Sequence, residues 1–127
     1  MARILVIDDD EIVRAALSGV LNAKGHEVTD TESGETAIRL HREQPFKLIV
    51  TDILMPDFDG IEVIRRFRQV DPGIKIIAIS GGGWADPDQF LSMAQRLGAV
   101  ATFSKPFDWE ALVAAVERLS GAETGPA

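Results

Sequence analysis

The sequence predicts an α/β fold, a five-stranded parallel sheet built as (βα)5 with helices on both faces. Three observations predict it. Five short apolar runs alternate with five stretches whose apolar residues recur at helical spacing. Most of the runs are continuous, as in strands covered on both faces, rather than alternating. Capping residues and glycines fall between the runs, where strand–helix units begin and end.

The elements follow in order. Ile4-Leu5-Val6-Ile7 forms the core of a strand over 3–8 and runs into Asp8-Asp9-Asp10-Glu11. Val13, Ala16, Leu17, Val20 and Leu21 make the apolar stripe of the first helix, which Gly25 ends. A second strand spans 27–31, and Ser33 caps a helix striped by Ala37, Ile38 and Leu40. The third strand, 47–52, carries Leu48-Ile49-Val50 through Thr51 to Asp52. Asp59 with Glu62 three residues later reads as a capping box for a helix striped by Ile61, Ile64 and Phe67. The fourth strand, 74–80, ends at Ser80. Asp86-Pro87 then starts a helix carrying Phe90, Leu91, Ala94 and Leu97, which Gly98 ends. The fifth strand, 99–104, precedes Lys105-Pro106, and Asp108 caps a last helix with Trp109, Leu112, Val113 and Val116. Residues 1–120 are expected to form one domain and 121–127 a flexible tail.

Composition narrows the function. The chain has 127 residues, 46% hydrophobic and 26% charged, enough for one packed domain. Without cysteine it has no disulfide and no thiolate metal site. Its net charge of −7 argues against direct binding of nucleic acid. Neither a signal-peptide core nor a membrane-spanning run is present, so a cytoplasmic location is expected.

In an open α/β sheet, ligands bind beyond the carboxyl ends of the strands. Asp8, Asp9, Asp52, Ser80 and Lys105 all fall there. Three carboxylates brought together repel, and burial adds to the cost. A hard divalent cation relieves both, and Mg²⁺ suits one or two carboxylates combined with phosphate oxygens. An aspartate can be a nucleophile toward phosphorus. Asp52 stands alone at its strand end, which suits that role. The adjacent Asp8 and Asp9 suit metal ligation, Lys105 supplies a positive charge and Ser80 a hydroxyl donor.

With these residues in place, the chain resembles a response regulator receiver domain of the CheY-like family, of the stand-alone type. The resemblance rests on Asp8-Asp9, Asp52, Met55-Pro56-Asp57-Phe58-Asp59-Gly60, Ser80 and Lys105-Pro106-Phe107, and runs from about Arg3 to about Ser120. It implies strand order 2-1-3-4-5, an order for which CheY is a standard example. It implies Asp52 as phosphoacceptor, Mg²⁺ held by Asp8, Asp9, Asp52 and the Leu54 carbonyl, and Lys105 and Ser80 on the phosphoryl group. It implies a Lys105–Pro106 bond that is often cis. It also implies a histidine kinase or histidine phosphotransfer protein as donor, and a downstream protein bound on the face of helix four, strand five and helix five. No external substrate is expected to turn over.

Departures accompany the match. Thr102 stands where the family usually has a switch aromatic, with Phe103 expected on the opposite strand face. The Gly81-Gly82-Gly83-Trp84 loop looks long, and Leu54 replaces a residue that is polar in some relatives. Asp10 and Glu11 read as helix N-terminal acids, Asp57 as a solvated loop residue, and Trp109 as core or a helix-edge anchor. His26 and His41 are expected in solvent-exposed structural roles. Two other functions compete: a haloacid-dehalogenase-like phosphatase built on Asp8 and Asp10, and a receiver-like interaction module that works without phosphate.

Overall fold

A computed structural model describes residues 2–55, 58–80, 87–105 and 108–120. Asp57, the Gly81–Asp86 segment with Trp84, Pro106, Phe107 and residues 121–127 lie outside them. So do the expectations of a cap at Asp86, a cis bond at Pro106 and a C-terminal tail. The Asp59 side chain is likewise not described.

The strands are β1 (Arg3–Ile7), β2 (Glu27–Thr31), β3 (Leu48–Asp52), β4 (Lys75–Ser80) and β5 (Ala101–Ser104). They alternate with α1 (Glu11–Ala23), α2 (Gly34–Glu43), α3 (Gly60–Val70), α4 (Pro87–Arg96) and α5 (Trp109–Ser120). The sheet is wholly parallel in the order β2-β1-β3-β4-β5. A two-residue antiparallel ribbon, Leu54–Met55 with Phe58–Asp59, leads from β3 to α3. None of the described helices is long and apolar enough to cross a membrane.

Alternation along the strands divides the core. Leu5, Ile7, Ile49, Ile76 and Ala78 pack with Ala37, Ile38, Ile64, Phe67 and Ala94, so α2, α3 and α4 cover one face. Ile4, Val6, Leu48, Val50, Ile77 and Ile79 pack with Leu17, Leu21, Leu112 and Val116, so α1 and α5 cover the other. The central strands are buried on both sides, which is why their sequences are continuous apolar runs.

Most of the expected punctuation is present. The Ser33 hydroxyl accepts from the Thr36 N–H at 3.2 Å, and an Asp108 carboxylate oxygen from the Ala111 N–H at 3.2 Å. Asp10 caps α1, accepting from Ile12 and Val13. Gly25 and Gly98 follow α1 and α4 with φ of 94° and 104°, the left-handed conformation that glycine adopts without steric cost. Trp109 is an exposed helix-edge residue rather than core, at 38% exposure.

Two expectations are corrected. In α1, Ala16 is exposed and Ser18 is buried, so the inward face runs through Leu17, Ser18 and Leu21. His26 and His41 are buried rather than solvent-exposed. Each ring satisfies both nitrogens, so burial leaves nothing orphaned. His26 Nδ1 accepts from the Ala2 N–H at 3.3 Å, and its Nε2 lies 3.2 Å from Glu117. His41 Nδ1 accepts from the Phe46 N–H, and its Nε2 lies 3.0 Å from Asp71, both at the amino edge of the sheet.

Candidate functional site

Parallel strands align their carboxyl ends, so the last residues of neighbouring strands become neighbours in space. Asp52 ends β3 and pairs in register with Ile79, the residue before Ser80, which ends β4. Ser80 pairs with Ser104, and the Lys105 N–H donates to the Ser80 carbonyl at 2.8 Å, holding the two strand ends together. Asp8 follows β1 directly, its N–H donating to the Thr31 carbonyl at 3.2 Å. All five sequence-selected residues therefore stand on the carboxyl edge of one sheet.

Asp8 and Asp52 are almost fully buried, while Asp9 is exposed at the rim. One carboxylate oxygen from each lies within 4.8 Å of the others. Lys105 reaches in from β5, its Nζ lying 2.9 Å from Asp52 Oδ2 and 3.0 Å from Asp8 Oδ2. Only the Asp52 contact has hydrogen-bond geometry; Asp8 Oδ2 is held by charge alone. Asp8 Oδ1 accepts from the Asp10 N–H at 2.9 Å. The Ser80 hydroxyl is buried with no hydrogen-bond partner among the described residues.

The electrostatics follow from crowding. Burial pushes the Asp8 carboxyl above its usual 3.8 and nearby Asp52 pushes it further, against the Asp10 N–H and Lys105, which pull it down. Burial by itself would lower Lys105, but Asp52 and Asp8 outweigh it and hold the ammonium above its usual 10.5.

Among the described residues, two buried polar atoms at one strand edge, Asp8 Oδ2 and Ser80 Oγ, lack hydrogen bonds. Buried polar atoms are normally satisfied, and exceptions need a reason. Three clustered carboxylates offer hard oxygen donors to a divalent cation, which would relieve the repulsion that Lys105 and the Asp10 N–H offset only in part. The residues therefore fit a metal, and no hydrogen bond among the described residues engages the Ser80 hydroxyl.

Asp10, the second acid of the phosphatase alternative, has its carboxylate committed to capping α1. Thr102 and Phe103 face opposite ways, as expected. The Thr102 hydroxyl accepts from Gln95 of α4 at 3.4 Å, whereas Phe103 packs in the α1–α5 layer.

One site neighbour was not selected from sequence. Arg14 Nη1 donates to the Asp8 carbonyl at 2.9 Å, and its Nε donates to Asp30 at 3.1 Å. The available signal was the α1 pattern itself. Arg14 and Ser18 lie four residues apart on a helix edge beside β2, but nothing local names Asp30 as their partner.

Comparison with known proteins agrees with this geometry. The model of the response regulator receiver domain family matches residues 4–117. The response regulator receiver protein CpdR of Brucella abortus is 40% identical over 121 residues, covering 94% of this chain and 97% of CpdR. Sporulation initiation phosphotransferase F of Bacillus subtilis is 29% identical and is covered to 91%, as is this chain. The crystal structure of a putative response regulator from Chloroflexus aurantiacus superposes with a TM-score of 0.85 at 27% identity, over 94% of this chain and 98% of that one. With its strand order, its acidic pocket and this match over nearly its whole length, the chain belongs to the response regulator receiver domain family, signalling modules of two-component systems rather than enzymes that turn over an external substrate.

Proposed function

We propose that this chain is a phosphorylation switch in which Asp52 accepts a phosphoryl group, with Mg²⁺ bound by Asp8, Asp9, Asp52 and the Leu54 carbonyl. The observation that carries the reading is the position of Lys105 Nζ, 2.9 Å from Asp52 and 3.0 Å from Asp8, at the strand edge that also holds the Ser80 hydroxyl, which has no hydrogen-bond partner among the described residues. An Asp52 oxygen attacks phosphorus as the bond from phosphorus to the donor's histidine nitrogen breaks, giving an aspartyl phosphate and free histidine. Bound Mg²⁺ would neutralise phosphate charge and let the carboxylates and the phosphoryl group approach. Lys105 then pairs with a phosphoryl oxygen in place of one carboxylate, and Ser80 donates to another.

The magnitudes call for several groups acting together. Turning a switch from mostly off to mostly on takes about 5.5 kcal/mol of differential stabilisation. One hydrogen bond to a charged group gives about 1.5–3 kcal/mol. Ser80 and Lys105 must therefore share the task.

The donor is a histidine kinase or histidine phosphotransfer protein in the cytoplasm. The name of the Bacillus subtilis relative, a phosphotransferase, agrees with a relay role. Residues 1–120 form the receiver and 121–127 a tail. The readout surface is α4, β5 and α5, where Met93, Val100 and Trp109 are exposed. The signal through this face starts from a Thr102–Gln95 contact instead of an aromatic rotamer.

The test is intact-mass measurement of wild type and Asp52→Asn after incubation with Mg²⁺ and acetyl phosphate. Wild type should gain one phosphoryl group and the variant none; equal uptake would overturn the assignment. Partner capture that is the same for both proteins, with and without donor, would favour the phosphate-independent interaction module.

A further inference from the structure

β2 carries none of the candidate metal ligands, yet its carboxyl end grips the acidic pocket at two points. The Asp8 N–H donates to the Thr31 carbonyl at 3.2 Å. The second point is a relay through Arg14. Its Nη1 donates to the Asp8 carbonyl at 2.9 Å, and its Nε donates to Asp30 Oδ1 at 3.1 Å. The other Asp30 oxygen accepts from the Ser18 hydroxyl at 2.9 Å. Arg14 is largely covered, with 17% of its side chain exposed.

The carbonyl that Arg14 holds belongs to the peptide unit joining Asp8 to Asp9. Rotating that plane moves both carboxylates of the pair relative to Asp52. A planar guanidinium with two donors held at fixed points resists such rotation. Asp30 keeps the guanidinium facing the carbonyl and neutralises it, so that Arg14 does not swing onto the clustered carboxylates and compete with a cation.

We propose that Arg14, fixed by Asp30 and Ser18, is a positioning residue for the divalent-cation site, setting the Asp8–Asp9 peptide so that both carboxylates meet the ion together. This rests on the assignment of that cluster as the Mg²⁺ site. Residues that orient metal ligands without touching the metal typically change affinity about 10–100-fold when replaced.

The experiment titrates Mg²⁺ alone into the full chain and follows backbone amide NMR shifts at Asp8, Asp9 and Asp52, with urea unfolding measured in parallel. Arg14→Gln should weaken Mg²⁺ binding about tenfold, and Asp30→Asn by a smaller factor of about three. The decisive measurement is the double variant. Asp30→Asn should add nothing in the Arg14→Gln background, because Asp30 acts only through Arg14. Arg14→Lys should fail to restore affinity, since one ammonium cannot reproduce the fork.

Arg3→Gln is the control. Arg3 bridges Glu27 and the Gln44 carbonyl at the opposite edge of the same strands, and its loss should lower stability while leaving Mg²⁺ affinity unchanged. Unchanged affinity in Arg14→Gln, or independent effects of Arg14 and Asp30, would overturn the proposal while leaving the site assignment standing. Wild type that binds no Mg²⁺ would overturn the site assignment and this inference with it.

Discussion

The two edges of the sheet bury polar groups in opposite ways. At the amino edge, His26 and His41 are buried with both ring nitrogens engaged. His41 also stacks on Phe46 and meets Phe67 edge-on, with ring centroids 6.2 Å and 5.5 Å away. At the carboxyl edge, two acids are buried side by side, and Asp8 Oδ2 and Ser80 Oγ have no hydrogen bond among the described residues. The two histidines of the amino edge need nothing from outside, although Arg68 Nε, beside the Pro72 and Gly98 carbonyls at the same edge, has no hydrogen-bond partner among the described residues. The carboxyl edge gathers three carboxylates, and the Lys105 ammonium offsets part of their repulsion. Clustered charge, with one buried acid oxygen lacking a hydrogen bond beside two further carboxylates, sets the carboxyl edge apart where burial alone does not.

The contrast can be broken by substitution. His41→Ala should have the largest effect, about 3–4 kcal/mol of lost stability. It opens a cavity between two aromatic rings and strands the Phe46 N–H. Urea unfolding measures the loss, and Mg²⁺ affinity should not change. An equal loss of Mg²⁺ binding would mean that the two edges are coupled.

Lys105→Met should cost about 2 kcal/mol in the absence of metal, because two buried carboxylates lose their cation. Proton uptake by Asp8 limits the cost. Added Mg²⁺ should recover most of the loss, which repeating the urea curve at saturating Mg²⁺ would show. It should recover none of the loss in His41→Ala.

Asp8→Asn should act with the opposite sign, stabilising the metal-free protein by about 1 kcal/mol at neutral pH while abolishing Mg²⁺ binding. The amide oxygen keeps the bond from the Asp10 N–H. Because the folded-state carboxyl titrates above its usual 3.8, the folded protein holds this proton more tightly than the unfolded chain does. The favourable contribution is fully present below pH 3.8 and is lost as pH rises through the raised value. The advantage of Asp8→Asn should therefore grow over that window and level off above it. Lys105 has the same sign at alkaline pH, contributing stability below 10.5 that disappears as pH passes its raised value. Thermal unfolding across the pH range checks both; a pH-independent difference between wild type and Asp8→Asn would refute the raised Asp8 carboxyl.

The smallest effect belongs to the rim. Gln95→Ala removes an exposed 3.4 Å contact to Thr102 and should change stability by no more than about 0.5 kcal/mol. If it nevertheless alters partner binding in the phosphorylated protein, the Thr102–Gln95 contact transmits the signal.

The sequence determined this protein's architecture and the membership of its carboxyl edge. Continuous apolar runs, helical stripes, Ser33, Asp108, Gly25 and Gly98 are local signals, since each acts within a few residues of the chain. Parallel strands then force their last residues together, so Asp8, Asp52, Ser80 and Lys105 could be gathered without coordinates. Tertiary structure alone decided what those residues and their neighbours are paired with. His26 meets Glu117 and His41 meets Asp71, partners 91 and 30 residues away, which turned expected surface histidines into buried ones. Arg14 reaches Asp30 across a helix–strand packing that no periodicity encodes. Hydrogen bonds between distant side chains depend on the relative placement of whole elements, and that placement is fixed by packing of the full core rather than by any stretch of sequence.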